Sequence, residues 1–181
     1  MVAAGRAAHD ASMFRLVRLG AICGTLALGV GAALASPTPL LEAAVGCEET
    51  TTARVRGDRV LLGAVVLPRA AALARPARPV RSAALPYVRS ALIAIRAGEP
   101  DVSVTIPEGW RHRVALSWGR DGSTSMVRFA RCGVSATGWS VYAGGFRLRE
   151  RGDCIPLVVR AGGTATTVRL GVGRECGARR R

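Results

Sequence analysis

Short runs in which apolar and polar residues alternate are the feature of this 181-residue chain that most constrains its fold. In 102–106, valine and isoleucine alternate with serine and threonine until Pro107 ends the run. The stretch 167–172 repeats this alternation near the C-terminus. A period of two predicts strands with one buried face, and no long helical period follows residue 35. The chain is therefore predicted to be all-β.

About eight strand-like segments follow an N-terminal signal segment, and this number favours a two-sheet sandwich. The segments 51–56 and 60–67 flank Gly57-Asp58 and predict a hairpin. Since the second of them is apolar on both faces, we expect it to be central in its sheet. Pro156 should place its strand at an edge or on a bulge, because proline cannot donate to a ladder.

A change of phase in 139–148 predicts a β-bulge. Apolar residues, which we expect to face the core, occupy odd positions from Trp139 through Val141 to 143 and even positions at 146 and 148, with Gly144-Gly145 between them. A bulge adds one residue to one strand, and glycine often occupies it. Most bulges only bend a sheet, but some re-aim neighbouring side chains. Tyr142 and Arg147 therefore become candidate contact residues.

The N-terminus predicts a secretory signal peptide over 1–35. Arg15 and Arg18 precede an uncharged stretch, 19–35, which ends in Ala33-Leu34-Ala35, a sequence typical of signal peptidase sites. Met13 lies just before this basic region, so translation starting there would omit 1–12. The apolar stretch is short for a membrane span, but an anchored protein with an uncleaved leader remains an alternative.

Four cysteines remain after the leader: Cys47, Cys132, Cys154 and Cys176. An even number in an exported chain predicts two disulfides, and three pairings are possible. We expect the nested pairs Cys132–Cys154 and Cys47–Cys176. No C-x-x-C pair is present, so a zinc site is not expected.

The predicted organisation is a signal peptide (1–35), a linker (36–46), a disulfide-stapled β domain (47–176) and a basic tail (177–181). Within the domain, 68–86 is rich in arginine, alanine and proline, which opposes a regular strand. We expect an arm that crosses from one sheet to the other, with a helical turn in 70–74. Its arginines could contact a polyanion, but a solvated crossover is the preferred interpretation.

All 26 basic residues are arginines, and the formal net charge is +14. Such a charge attracts anionic polymers at low salt. The mature part has few aromatic residues to stack on bases, so specific nucleic-acid binding is not expected. Candidate partners are anionic envelope polymers or another envelope protein. The candidate contact residues are Trp110, Arg111, Arg113, Tyr142, Arg147 and Arg149.

Catalytic motifs are absent from the sequence, and we predict no cofactor, metal site or catalytic residue. His112 is the only histidine after the leader and lies between two arginines. The carboxylate pairs Glu99/Asp101 and Glu150/Asp153 are typical of turns. A small secreted hydrolase that uses a carboxylate pair or His112 is the alternative from another functional class.

The run from Trp139 to Phe146, followed by Cys154-Ile155-Pro156-Leu157, Gly171-Val172-Gly173 and Cys176, resembles a group of small exported hypothetical proteins from high-GC actinobacteria. The resemblance extends back through 95–98 and Trp118-Gly119. It implies export, paired cysteines and one β domain, and it supplies no activity. The expected function is a non-enzymatic binding or structural module of the cell envelope or extracellular space.

Overall fold

The computed structural model describes residues 41–55, 57, 59–81, 84–119, 122–133 and 136–177. The predicted signal peptide and the tail from residue 178 lie outside the described residues. The described residues all belong to one compact unit. Within these ranges, no helix is long and apolar enough to cross a membrane.

The structure is all-β, as predicted, and twelve strands are described. Four of them are only two residues long, which leaves eight longer strands. The strands are β1 (Glu42–Val45), β2 (Thr50–Thr51), β3 (Val60–Leu61), β4 (Val65–Val66), β5 (Arg78–Pro79), β6 (Tyr87–Arg96), β7 (Val102–Thr105), β8 (Val114–Leu116), β9 (Met126–Phe129), β10 (Trp139–Leu148), β11 (Asp153–Ala161) and β12 (Thr164–Val172). One short helix, α1 (Ala70–Leu73), and two 3₁₀ turns, Cys47–Glu49 and Glu108–Trp110, complete the elements.

The strands form two sheets that share one hydrophobic core. The five-stranded sheet has the order β1-β9-β7-β11-β12. The seven-stranded sheet has the order β2-β10-β6-β4-β3, with β5 also paired to β6 and β8 to β10. Buried residues of both sheets, such as Val104 and Leu157 from the first and Ile93 and Phe146 from the second, belong to one core cluster. This arrangement is compatible with a sandwich.

The β6–β10 pairing shows that the predicted bulge was wrong. The register runs one-to-one from Trp139 opposite Arg96 to Leu148 opposite Tyr87, with no extra residue. Even-numbered side chains of β10 face the core throughout, because Tyr142 and Leu148 are buried. The odd-numbered apolar residues, Trp139 among them, face outward and are partly exposed.

The two glycines of β10 allow close packing instead of a bulge. A Cβ on Gly144 would lie 2.4 Å from the Trp118 ring, and one on Gly145 would lie 2.1 Å from the Arg89 carbonyl oxygen. Trp118 is fully buried, and its ring meets Phe146 edge-on at a centroid distance of 5.1 Å. The largest core side chain therefore depends on the missing side chain at Gly144.

The predicted linker contributes a strand, so its assignment as a linker was wrong. β1 pairs with β9 in the same direction, the one parallel pair in the described sheets. Its inward side chains, Ala43 and Val45, are buried. The Leu41 carbonyl accepts hydrogen bonds from the backbone N–H groups of Ser125 and Met126, which fixes the start of the strand.

The disulfides are Cys47–Cys132 and Cys154–Cys176, so the predicted nested pairing was wrong. Because β1 and β9 are parallel, the residues that follow them leave the sheet at the same end, and this brings Cys47 to Cys132. Cys154 lies opposite Gly171 in the β11–β12 hairpin, and the chain after β12 returns Cys176 to it. The Cα–Cα distances are 5.6 Å and 5.3 Å.

The hairpin predicted around Gly57-Asp58 is also wrong. β2 pairs with β10, and the hairpin is formed by β3 and β4 within the apolar run. Its turn is Leu62-Gly63, where both residues have positive φ (51° and 69°). The run 60–67 is therefore two short strands and not one central strand: β3 lies at the edge of the sheet, and β4 lies between β3 and β6.

Two other predictions agree with the structure. Pro156 lies opposite Arg169 beyond the end of the β7 pairing, so its strand is locally an edge. The helical turn expected in 70–74 is α1.

The arm does not cross from one sheet to the other, so that part of its prediction was wrong. It leaves β4 and enters β6, which are neighbours in the seven-stranded sheet, and its own strand β5 also pairs with β6. It touches the chain just after β12 through a hydrogen bond from the Gly173 N–H to the Leu73 carbonyl oxygen.

The observed disulfide pairing makes a direct prediction. Proteolysis without reduction should release linked peptides joining Cys47 to Cys132, and mass spectrometry should detect no link between Cys132 and Cys154. The chain-entropy model predicts that Cys47→Ser/Cys132→Ser lowers the free energy of unfolding by about 4.6 kcal/mol, and Cys154→Ser/Cys176→Ser by about 3.4 kcal/mol. Urea unfolding of the two double variants measures which disulfide contributes more to the free energy of unfolding. A disulfide-linked peptide that joins Cys132 to Cys154 would contradict the observed pairing.

Candidate functional site

A chain segment crosses the outer face of the seven-stranded sheet. β2 and β3 are consecutive in the described strands but lie at opposite ends of the strand order, about 19 Å apart across four strand spacings. The connection passes over the face directed away from the core. We name its described residues, 52–55, 57 and 59, the strap. A Cβ on Gly57 would lie 2.2 Å from Cγ1 of Val66, so the strap backbone rests directly on the sheet.

Beside the strap lies a groove with a volume of about 590 Å³, which we name the strap groove. Its floor is formed by outward side chains of β10, β6 and β4, and its walls by the strap and the chain before β10. The lining residues are Thr50, Thr51, Thr52, Ala53, Arg54, Val55, Val66, Ala94, Ala136, Thr137, Trp139, Ser140 and Val141.

The strap groove combines an apolar floor with hydroxyl groups and a cation. Trp139 and Val141 provide the apolar surface, four threonines supply hydroxyls, and Arg54 supplies charge. The guanidinium of Arg96 lies over the Trp139 ring, 5.7 Å from its centroid. Among the described residues, no acidic side chain or histidine lines the groove. The groove is thus suited to apolar contact, hydrogen bonding and the attraction of negative charge.

Tyr142 does not belong to a contact surface, so that prediction was wrong. Its side chain is 1% exposed, and its ring packs against Phe129 at a centroid distance of 5.0 Å. Its hydroxyl lies 3.1 Å from Sγ of Cys132, directly beneath the Cys47–Cys132 disulfide. The reason is the unbroken alternation of β10, which turns every even-numbered side chain toward the core.

Trp110, Arg113 and Arg149 are brought together, but Arg113 is engaged with acidic residues. Its guanidinium lies 4.9 Å from the Trp110 ring centroid and 2.7 Å from Oδ2 of Asp153. Oε1 of Glu150 lies 3.9 Å from the same guanidinium. The Arg149 N–H donates to the Arg113 carbonyl oxygen at 2.8 Å. This cluster joins the second 3₁₀ turn to the start of β11.

The remaining predicted residues make contacts with the backbone. Nε of Arg111 donates to the Ile106 carbonyl oxygen at 3.4 Å, and Nε of Arg147 to the Gly122 carbonyl oxygen at 2.9 Å. Neither is among the residues that line the strap groove.

The predicted catalytic alternatives do not converge on a cleft. Glu150 and Asp153 share the Arg113 guanidinium, and His112 is exposed. A smaller cavity of about 290 Å³ between β7 and β9 contains one carboxylate, that of Asp101. In the ranges that the structure describes, no three His, Cys, Asp or Glu side chains are grouped so that they could hold a metal ion.

The sequence interpretation missed the strap groove because Trp139 and Val141 were assigned to the core. The triplet Thr50-Thr51-Thr52 could have indicated a polar strand at the edge of a sheet. That this strand lies beside β10 depends on the strand order, which the triplet does not reveal.

No family model matches this chain, and neither the curated proteins nor the solved structures include one that is significantly similar to it. The fold and the strap groove are therefore the basis on which a function can be proposed.

Burial of Tyr142 predicts a loss of stability at alkaline pH. Desolvation of the phenolate raises the pKa of Tyr142 above its ordinary value of 10.0, and the nearby Glu48 and Glu49 add to this effect. Above pH 10 the unfolded chain ionises while the folded chain keeps the proton, so the free energy of unfolding falls as pH rises. Urea unfolding at about pH 9 and about pH 11 should show a smaller fall for Tyr142→Phe than for the native chain. Equal falls would contradict the burial.

Proposed function

We propose that this chain is an exported, non-enzymatic binding module that holds a segment of an acidic polysaccharide in the strap groove. The observation that carries the proposal is the outward-facing floor of Trp139 and Val141, bordered by threonine hydroxyls and arginines. The module would act in the cell envelope or outside the cell.

Two features support export. Two disulfides close the domain and are consistent with an extracytoplasmic protein. The sequence of 1–35 independently predicts a signal peptide.

The architecture supports a binding role. In this proposal the two sheets pack face to face as a sandwich, which leaves the outer face of the seven-stranded sheet as a rigid platform. The strap adds a wall to this otherwise open face. Functional sites built on strands are held more precisely than sites built on loops alone.

A sugar chain matches the mixed chemistry of the groove. Each pyranose ring presents an apolar C–H face and a rim of hydroxyl groups. Trp139 offers a flat apolar surface for such a face, and the hydroxyls of Thr51 and Thr52 offer donors and acceptors for the rim. A volume of about 590 Å³ lies within the range of small-ligand sites.

Charge favours an acidic chain over a neutral one. Arg54 lines the groove and Arg96 lies over Trp139, while none of the lining residues that the structure describes is acidic. Residues 36–181 carry 23 arginines against 11 acidic residues, and their formal net charge of +12 adds a long-range attraction for polyanions. Carboxylates of uronic acids are therefore complementary to this face.

The proposal predicts that tetragalacturonate binds more tightly than its fully methyl-esterified, neutral form, as measured by titration calorimetry at low ionic strength. Trp139→Ala should weaken tetragalacturonate binding by about tenfold through loss of the stacking surface. Trp110→Ala is the matched control, because Trp110 also carries an arginine over its ring but does not line the groove.

A second pair of variants distinguishes the effect of a charge in the groove from the effect of the protein's net charge. Arg54→Gln should weaken binding several-fold, whereas Arg160→Gln, which removes the same charge from the five-stranded sheet, should have little effect. Both residues are exposed, so neither change threatens the core. Equal tetragalacturonate affinity in all four variants would overturn the proposed groove. Equal affinity for tetragalacturonate and its methyl ester would overturn the proposed preference for an acidic ligand.

A further inference from the structure

β12 lies at the edge of the five-stranded sheet, and one side of its backbone is open. It pairs with β11 along all nine of its residues. α1 and the chain after β12 lie against its C-terminal end, where the Gly173 N–H donates to the Leu73 carbonyl oxygen. Before that end, residues 164–169 form hydrogen bonds with no described residue outside β11. About 20 Å of strand is therefore unpaired on this side.

Pro156 of β11 indicates which backbone groups point to the open side. It lies opposite Arg169 and has no N–H to donate to the Arg169 carbonyl oxygen. In an antiparallel ladder, pairs that exchange hydrogen bonds alternate with pairs whose backbone groups point away from each other. Arg169 belongs to the second kind, and so do Thr167 and Ala165, because the register continues without a bulge. The two-residue turn Gly162-Gly163 gives the same alternation, since such a turn closes on a hydrogen-bonded pair.

β12 lacks the features by which edge strands commonly avoid pairing with another chain. It has nine residues, contains no proline or bulge, and carries one charged residue, Arg169. Its inward side chain Val168 packs on the core but stays partly exposed, whereas Leu157 opposite it is fully buried. An added strand would cover the exposed part of Val168 and satisfy the open backbone groups.

The charges beside the open side favour an acidic partner. The outward side chains of β12 include Arg169, and those of β11 include Arg160. Asp153, the one acidic residue of these two strands, is buried and faces inward. A second copy of this chain is a poorer occupant, because it would bring the same formal charge of +12 on residues 36–181.

We propose that the open side of β12 binds an extended acidic segment of a partner protein, which adds to the five-stranded sheet as a sixth strand. Backbone hydrogen bonds to Ala165, Thr167 and Arg169 provide affinity, and alternate side chains of the segment provide specificity. Its acidic residues lie on the outer face beside Arg169, and its apolar residues cover Val168. The strap groove lies on the other sheet, so the two sites are independent.

The test uses the disulfide-bonded protein and two labelled nonapeptides, one in which glutamate alternates with valine and one in which lysine replaces glutamate. Fluorescence anisotropy at low ionic strength measures their affinities. The glutamate peptide should bind at one saturable site, at least about tenfold more tightly than the lysine peptide. When it binds, hydrogen exchange should slow at the backbone amides of Ala165, Thr167 and Arg169 and stay unchanged at Val168, which β11 already bonds.

Thr167→Pro tests the backbone pairing without a change of net charge. Loss of this N–H should lower the affinity for the glutamate peptide by about tenfold, whereas Thr167→Ala keeps the N–H and should lower it less than about twofold. Thr167 is exposed and its N–H points away from β11, so the proline variant should fold.

Arg169→Glu tests the charge. It should reverse the preference, so that the lysine peptide binds more tightly than the glutamate peptide. The control Arg131→Glu makes the same change at an exposed position outside β11 and β12, and the glutamate peptide should still bind more tightly.

Equal affinity of Thr167→Pro and Thr167→Ala would overturn the strand addition. Equal effects of Arg169→Glu and Arg131→Glu would show a general charge effect and overturn the acidic partner. Slow exchange at the same amides in the protein alone, increasing with its concentration, would identify a second copy as the occupant and also overturn the acidic partner. Tetragalacturonate binding should be unchanged by Thr167→Pro, so a failure of the groove proposal and a failure of this one give different results.

Discussion

The unbroken pairing of β6 with β10 is the constraint on which the rest of the structure depends. Its constant register directs Tyr142, Phe146 and Leu148 into the core and leaves Trp139 and Val141 on the outer face. The pairing is possible only because residues 144 and 145 are glycines, which admit the Trp118 ring and the β6 backbone at distances no side chain would allow. Every other strand of the seven-stranded sheet except β3 pairs directly with one of these two.

Two disulfides hold the outer strands to this centre, and the strand order creates the strap groove. The Cys47–Cys132 disulfide closes the end of the β1–β9 pair, and Cys154–Cys176 closes the β11–β12 hairpin. Because β2 and β3 lie at opposite edges, the strap must cross the outer face, and the strap groove is a consequence of that topology. The seven-stranded sheet thus carries a groove on its outer face.

The sequence was informative where polar residues mark the outward face of a strand. The strand in 102–106 could be predicted because serine and threonine alternate with buried valines. Prediction failed in 139–148, because both faces of this strand carry apolar residues. Their alternation does not show whether the odd-numbered or the even-numbered side chains face the core. It failed again for β1, whose sequence EAAV is short and pairs with a strand more than 80 residues away. The disulfide pairing and the strap groove follow from such long-range contacts, which no local pattern encodes.

Cysteine labelling along β10 shows which side chains of this strand face outward, and the proposed groove exists only if the odd-numbered ones do. Ser140→Cys and Ala143→Cys each add one thiol to a chain whose described cysteines are all paired. The structure predicts fast maleimide labelling at position 143, which is exposed, and protection at position 140, where Ser140 is 7% exposed. Fast labelling at position 140 with protection at position 143 would show the opposite parity, place Trp139 in the core and contradict the account.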